Sequence, residues 1–231
     1  MARPVKIVAT MLSGNSESLV ANAIVSVRDH VDLVLLIDTG ITDGTLRCVR
    51  EAAGERLSVV GFPWCDDFAT ARNFALQAAC EHGATWVLTI DTDEQIDFSA
   101  FTSRDDLVAR LSEREDILVW MVAASDNIYA KERFIRVPTS LRWVGRTHEA
   151  LIGASECERE LLHEVRFWET PKSAVQYQHK LKRDLSILRA ETEANPDDAR
   201  WWYYLGQTLD GLGEIEPAIQ AYQTCASGLS I

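Results

Sequence analysis

The chain has 231 residues, of which 47% are hydrophobic, and a formal net charge of −12. This length allows one substantial core with an appendage, and the apolar content argues against a disordered chain. The acidic balance disfavours general binding to a nucleic-acid backbone, because no basic excess is available to release counterions.

No stretch approaches the roughly 18 apolar residues of a membrane span. Residues 1–10 lack the apolar core of a secretory signal. A cytoplasmic protein without a membrane span is therefore expected. The cysteines are spread along the chain without metal-ligand spacing, which predicts reduced thiols. They are Cys48, Cys65, Cys80, Cys157 and Cys225.

The first half of the chain alternates strand-like and helix-like patterns. Short apolar runs predict strands at residues 6–10, 33–37, 57–62 and 86–90. Apolar residues at helical spacing follow each of the first three runs, after side chains that can cap a helix: Asn15 or Ser16, Asp43 and Asp67. This alternation is typical of an α/β protein with a doubly wound, mostly parallel sheet.

Acidic residues stand where two of these predicted strands end. Asp38 follows the second run, and the fourth run leads directly into Asp91 and Asp93. The carboxyl ends of parallel strands share one edge of the sheet, so we expect Thr10, Asp38 and Asp91 to converge there. Two carboxylates separated by one residue suit Mg²⁺ or Mn²⁺, which clamps the phosphates of a nucleotide. The alternative is a strand end followed by a solvated acidic turn.

Two further side chains allow a functional and a structural interpretation. Asp38 either accepts a hydrogen bond from a base or a ribose hydroxyl, or it only begins the turn TGITDG. Arg72 either balances phosphate charge as a bidentate donor, or it is a solvated residue of its helix.

Three segments resemble the family 2 glycosyltransferases, in the soluble bacterial branch with a tetratricopeptide tail. In order, they are VDLVLLIDTGITDGT, FPWCDDFATARNFAL and WVLTIDTDE. The resemblance implies the Rossmann-like glycosyltransferase A fold and transfer of a sugar from a nucleotide sugar, usually with inversion. One departure is the segment GNSE at residues 14–17, where the family often has KNEE.

Carried over residue by residue, the resemblance implies a role for each matching side chain. Asp38 contacts the base or ribose, while Arg72 and Asn73 lie at the nucleotide and its diphosphate. Asp91 and Asp93 form the D-x-D pair, in which the second acid usually holds Mn²⁺ or Mg²⁺. The expected donor is a UDP-sugar.

The middle of the chain continues the match. A short helix is predicted at residues 105–111, a strand at 117–124, and a hairpin of 133–137 with 141–144 near Pro138. The stretch RFIRV…LRWVGRTHEAL resembles the family's RLFRN…IRFEGRIHEQL.

An inverting transfer needs a base near the acceptor hydroxyl, and Glu149 is our candidate. His148 is either a metal or diphosphate contact, or a buried histidine bonded to backbone. The family often has a later histidine that completes the metal shell, but this chain has VRFWETP in that place. The third metal ligand is therefore left open between His179, Glu169 and none.

The C-terminal part is predicted to be helical. After a helix at residues 180–195, WWYYLGQTLDGLGEIEPAIQAYQTC matches one tetratricopeptide repeat. The consensus positions are Trp202, Leu205, Gly206, Gly213, Ala218 and Tyr222. The expected domains are 1–179, the transferase, and 180–231. Because the chain ends at Ser230 and Ile231 after one repeat, we expect a truncated or natural short form. The repeat is expected to pack on the preceding helix, on the catalytic domain or on a second chain, which would be a protein partner or a second copy in a homodimer.

The leading interpretation is a metal-dependent glycosyltransferase that uses a nucleotide sugar. The alternative is a non-catalytic nucleotide- or protein-binding module built on a degenerate transferase domain. A phosphatase of the type that begins D-x-D-x-T/V is disfavoured, because Gln95 occupies the fifth position. The sequence does not indicate the acceptor.

Overall fold

A computed structural model describes residues 4–228, so the last residues, Ser230 and Ile231, lie outside it. The chain divides into two compact units. The first contains the residues up to Cys65, Ala69–Val144 and Ala150–Thr170, and the second contains Asp66–Phe68, Gly145–Glu149 and the residues from Pro171 onward.

The first unit contains all the strands that the structure describes. In chain order its elements are β1 (Ile7–Ser13), α1 (Val20–Val27), β2 (Leu33–Asp38), α2 (Thr45–Ala53), β3 (Leu57–Gly61), α3 (Phe68–Glu81), β4 (Trp86–Thr89), β5 (Glu94–Asp97), α4 (Arg104–Ser112), β6 (Val119–Ala124), β7 (Ala130–Arg136), β8 (Arg142–Val144), β9 (Ala150–Ile152) and β10 (Arg159–Glu169).

Eight of these strands form one sheet in the order β3-β2-β1-β4-β7-β6-β10-β5. The first four are parallel, and β7 runs antiparallel to both β4 and β6. β6 and β10 are parallel, and β5 closes the sheet as an antiparallel edge. The predicted α/β class, with a Rossmann-like sheet and a helical appendage, is confirmed.

Helices cover both faces of the parallel half, which explains its continuous apolar runs. In β1, Ile7, Ala9 and Met11 belong to one core cluster, whereas Val8 belongs to the other. Residues 34–37 of β2 are all fully buried. Burying one such side chain contributes about 1.5–3 kcal/mol. The sheet is therefore a rigid support for the loops at its edge.

The predicted hairpin near Pro138 is wrong. β7 fills the position between β4 and β6, with Trp86 opposite Arg136 and Val119 opposite Ile135. β8 pairs instead with β9. A local pattern of alternating residues predicts a strand but not its partner, and here the partners lie far away in sequence.

The second unit contains three helices: α5 (Ala174–Ala194), α6 (Ala199–Gly211) and α7 (Ile215–Gly228). α5 begins earlier than the predicted residue 180, because Ser173 and Gln176 form a capping box. The predicted domain boundary at 179/180 therefore falls inside a helix, whereas the compact units divide between Thr170 and Pro171.

A small apolar core joins these helices, and its largest member is Trp201 of α6. α6 and α7 cross at Gly206, where a Cβ atom would lie 2.6 Å from the ring of Tyr222. The expectation of a small residue beside a large one at the crossing is met.

Gly206→Ala is expected to lower the stability of this unit by about 1–3 kcal/mol, because the new methyl group overlaps the Tyr222 ring. Urea unfolding followed by circular dichroism measures the change. The control is Gly61→Ala in β3, where a Cβ would meet nothing within 4 Å. Equal losses at both positions would contradict a tight α6–α7 crossing.

No helix among residues 4–228 has the length and apolar composition needed to cross a bilayer. None of the cysteines in this part of the chain forms a disulfide.

Candidate active site

The carboxyl ends of β1, β2 and β4 lie side by side. β1 is the central strand of the three, with Ser13 opposite Asp38 of β2 and Thr10 opposite Thr89 of β4. Asp38 ends β2, and Asp91 follows β4 by two residues. The predicted convergence of Asp38 and Asp91 at one edge of the sheet is therefore confirmed.

Thr10 does not lie at this edge, contrary to our expectation. β1 continues to Ser13, so Thr10 is a buried mid-strand residue whose carbonyl accepts the Ile90 N–H at 3.2 Å. Polar residues at the end of a strand can continue it when a neighbouring strand supplies partners. Ser13 takes the edge position instead.

Side chains of the loop SGNSES form hydrogen bonds with the loop after β2 and with the turn after β4. Asn15 Oδ1 accepts the N–H groups of Thr42 and Asp43 at 2.8 and 3.2 Å. Ser16 Oγ donates to Thr92 Oγ1 of the D-x-D turn at 3.2 Å. The prediction that Asn15 or Ser16 caps a helix is wrong, because α1 begins only at Val20. These side chains join loops instead.

Asp38 performs the structural role that the sequence allowed. Its Oδ1 atom accepts the N–H groups of Gly40 and Ile41 at 2.9 and 2.8 Å, which fixes the turn. Gly40 needs its glycine here, since its φ is +118°. Among residues 4–228 no hydrogen bond uses Asp38 Oδ2, so this atom is available to a ligand.

Arg72 is paired with the first acid of the D-x-D motif. Its NH2 atom donates to Asp91 Oδ1 at 2.9 Å, and its guanidinium lies 5.4 Å from the centre of the Trp143 ring. The Arg72 side chain is only 15% exposed, so the alternative of a solvated helix residue is wrong. Arg72 contributes a positive charge to the edge of the sheet.

Asn73, the next residue, makes hydrogen bonds to the backbone of β8. Its carboxamide donates to the carbonyl of Trp143 at 2.9 Å and accepts the Trp143 N–H at 2.8 Å. Both ends of the side chain thus hold β8 against α3. These hydrogen bonds give Asn73 a structural role.

Sequence reasoning missed a buried charge cluster behind the motif. Glu94 is 1% exposed, and its Oε1 lies 2.6 Å from Lys131 Nζ and 2.7 Å from Arg133 NH2. Arg133 NH2 and Glu94 Oε1 form an ion pair without the geometry of a hydrogen bond. Glu94 Oε2 accepts the Asp91 N–H at 2.8 Å. Glu94 therefore connects two cations of β7 to the backbone of the D-x-D turn.

These cations control the ionisation of Asp91. Burial alone would raise the pKa of Asp91, but Arg72, Lys131 and Arg133 outweigh it and hold the pKa well below its usual range. Burial would likewise lower the pKa of Lys131, yet Glu94 and Asp91 raise it above the ordinary lysine value. Asp91 and Lys131 are thus both charged at neutral pH.

The side chains at this edge of the sheet could supply only some of the ligands of a divalent cation. Within residues 4–228, no three His, Cys, Asp or Glu side chains are grouped closely enough to hold a metal. Asp91 is engaged by Arg72, and Glu169 Oε1 accepts from Lys131 and Tyr129 at 2.9 and 3.0 Å. Asp93 adds a carboxylate, a ligand type that hard divalent cations prefer.

The remaining predicted residues belong to the second unit. His148 has φ +48°, and its ring is stacked on Tyr204 with centroids 3.8 Å apart. Glu149 is half-buried beside it, and His179 is exposed on α5. Burial lowers the pKa of His148, and so do Lys180 and Arg200, against the opposing effects of Asp184 and Glu149.

Comparison with known proteins agrees with the motifs. Residues 10–166 match the model of Glycosyl transferase family 2. A TPR repeat-containing protein of Synechococcus elongatus is 26% identical over 223 residues, 90% of this chain and 53% of the relative. An uncharacterized glycosyltransferase of Rickettsia felis is 33% identical over 91 residues, 39% of this chain and 30% of the relative. The chain thus spans about half, or less, of these relatives' lengths.

Solved structures with the same fold include S. aureus TarS. Residues 1–349 of TarS align with a TM-score of 0.53 at 15% identity, covering 90% of this chain and 71% of that one. The same TarS fragment in complex with UDP gives 0.52 at 15% identity, with coverages of 89% and 71%. At this identity the likeness shows the fold. Since the family model matches more than half of the chain and includes all three motifs, the chain belongs to glycosyl transferase family 2.

Proposed function

We propose that the protein transfers a sugar from a nucleotide sugar, with UDP as the nucleotide, to an acceptor hydroxyl with inversion. The observation that carries this proposal is the Arg72–Asp91 pair beside Asp93, at the same sheet edge as Asp38. It offers acceptor oxygens and a cation where α/β sheets bind ligands. The likeness in fold to TarS, solved with UDP, supports the choice of nucleotide.

Each side chain at the edge has a proposed task in binding the donor. Asp38 Oδ2 accepts from the base or the ribose, while Oδ1 keeps the loop in place. Arg72, which Asp91 holds at this edge, balances the charge of the diphosphate. Asp93, together with the diphosphate, would hold Mn²⁺ or Mg²⁺, which supplies positive charge for the departing diphosphate.

The proposed chemistry is a single displacement. Glu149 takes the proton of the acceptor hydroxyl, whose oxygen attacks the anomeric carbon while the bond from that carbon to the diphosphate oxygen breaks. The electron pair of the broken bond leaves with the diphosphate, where Arg72 balances the developing charge. Attack from the face opposite the leaving group inverts the anomeric centre.

Nucleotide binding tests this proposal directly. In the presence of Mn²⁺, UDP should raise the melting temperature more than GDP or CMP does. UDP at 100 times its Kd should add about 2.7 kcal/mol of stability. Removing the metal with EDTA should reduce the UDP effect.

A matched pair of variants locates the binding. Arg72→Met should abolish most of the shift, whereas Arg50→Met, on an exposed position of α2, should leave it intact. No stabilisation by any of the three nucleotides would refute the proposal. Binding of UDP without turnover of any UDP-sugar would favour a non-catalytic binding module.

A further inference from the structure

The second unit contains a cavity of about 360 Å³ that the proposed donor site does not use. It lies among α5, α6, α7 and the segment Gly145–Glu149. Its walls include His148 of that segment, Tyr177 and Asp184 of α5, Gln207 and Asp210 of α6, and Tyr222 of α7. Polar groups from all four parts of the unit thus face one space.

The charge of this cavity is balanced. Asp184 is 2% exposed, and its carboxylate is paired with Arg183 at 2.7 Å and Lys180 at 3.4 Å. Asp210 contributes one more negative charge from an exposed position. A nucleotide or phosphate would find no excess of positive charge here, and the polar walls are unsuited to an apolar ligand.

The polar and aromatic groups of the walls match the two sides of a sugar ring. Carboxylates accept from hydroxyls, and Gln207 keeps its carbonyl oxygen as an acceptor while its amide donates to Tyr203 at 3.0 Å. Aromatic faces suit the C–H surfaces of a pyranose, and Tyr177 is 46% exposed. The volume lies at the low end of the roughly 300–1,000 Å³ of small-molecule sites, enough for one or two rings.

The segment that forms one wall is held in a fixed conformation. His148 adopts the left-handed backbone region, its ring stacks on Tyr204 with an interplanar angle of 2°, and its carbonyl accepts from Arg200. Such strain in a non-glycine residue persists only where the surroundings hold it, and it is frequent at functional sites. Glu149, the proposed base, is the next residue of this fixed segment.

We propose that this cavity binds the acceptor, and that the acceptor ends in an uncharged saccharide of one or two rings. The inference rests on the proposed function, since Glu149 is taken as the base for the acceptor hydroxyl. The saccharide would stack on Tyr177 and donate hydroxyl hydrogens to Asp210 and Gln207. His148, which lines this cavity, directly precedes the proposed base Glu149 in the chain.

The experiment uses the full chain and four neutral disaccharides: cellobiose, maltose, lactose and chitobiose. Saturation-transfer NMR measures their binding. We expect at least one to bind at millimolar concentration, and Asp210→Ala and Tyr177→Ala each to weaken that binding by about tenfold. Glu216→Ala and Val175→Ala are matched controls at exposed positions of α7 and α5, and should leave the affinity unchanged.

The outcomes separate this inference from the donor proposal. Absence of binding by all four disaccharides, or equal binding by the cavity variants and controls, would overturn the saccharide site, whatever the nucleotide data show. Stabilisation by UDP should persist in Asp210→Ala and Tyr177→Ala. Saccharide binding that depends on the cavity, without any nucleotide binding, would support the cavity and refute the proposed transferase.

Discussion

Glu94→Ala is expected to destabilise the protein by about 3–5 kcal/mol, because it breaks a buried ion pair. The substitution leaves Arg133, which is 2% exposed, without its carboxylate partner, and it removes the acceptor of the Asp91 N–H. Lys131 loses the closer of its two carboxylates. Urea unfolding followed by tryptophan fluorescence measures the loss.

Controls separate burial from charge. Glu113→Ala removes a carboxylate that is 63% exposed and paired with Arg110, so its loss should cost about 0–1 kcal/mol. Glu94→Gln keeps an acceptor for Asp91 but loses the charge, and should fall between the two. If Glu94→Ala proved no more costly than Glu113→Ala, the buried cluster could not be what holds the D-x-D turn.

The same substitution should also affect nucleotide binding in the protein that remains folded. Glu94 fixes the backbone of Asp91, and the Asp91 carboxylate in turn orients Arg72. UDP should therefore stabilise the Glu94→Ala protein less than it stabilises the unaltered protein. An undiminished UDP shift would confine Glu94 to a structural role.

The edge of the sheet could be predicted from the sequence because its signals are local. The strands that lead to Asp38 and Asp91 are continuous apolar runs, and each ends within one residue of its predicted end. Parallel pairing then brings the two acids to one edge without any knowledge of side-chain contacts. β1 extends three residues beyond its predicted end at Thr10: Met11 and Leu12 continue the apolar run, and Ser13 ends the strand. The polar residue Thr10 therefore does not mark the end of this strand.

Glu94 was missed because an acid after two aspartates is typical of a solvated turn. A weak signal existed in the sequence KERFIR, where Lys131 and Arg133 are two residues apart and so share one face of a strand. Two cations on the inward face of a buried strand require a carboxylate partner. The sequence did not identify that partner, because the predicted hairpin paired this strand with residues 141–144. In the structure β7 pairs with β4 instead.

The sequence pattern also did not predict that the segment GRTHE and its flanking strands belong to different compact units. β8 and β9 belong to the first unit, whereas Gly145–Glu149 belongs to the second. Gly145 has φ +94°, and a Cβ there would lie 2.9 Å from the Trp201 ring. The segment therefore packs on α6 of its own unit, a contact made across more than fifty residues of sequence.

Glu149→Gln is expected to lower the rate of sugar transfer by about 10²–10⁴-fold, the usual contribution of a positioned general base. The amide is nearly isosteric, so the segment that carries His148 should keep its stack on Tyr204. The donor site does not include this residue, and stabilisation by UDP should be unchanged. The measurement is transfer or hydrolysis of UDP-sugars followed by mass spectrometry.

A second acid and a conservative variant show whether the effect is chemical. Glu156→Gln changes an exposed carboxylate of the first unit and should leave the rate unaltered. Glu149→Asp retains a carboxylate on a shorter side chain and should recover part of the activity. Transfer by Glu149→Gln at the rate of the Glu156→Gln control would require a different base, while nucleotide binding that fell along with the rate would point to a positioning role instead.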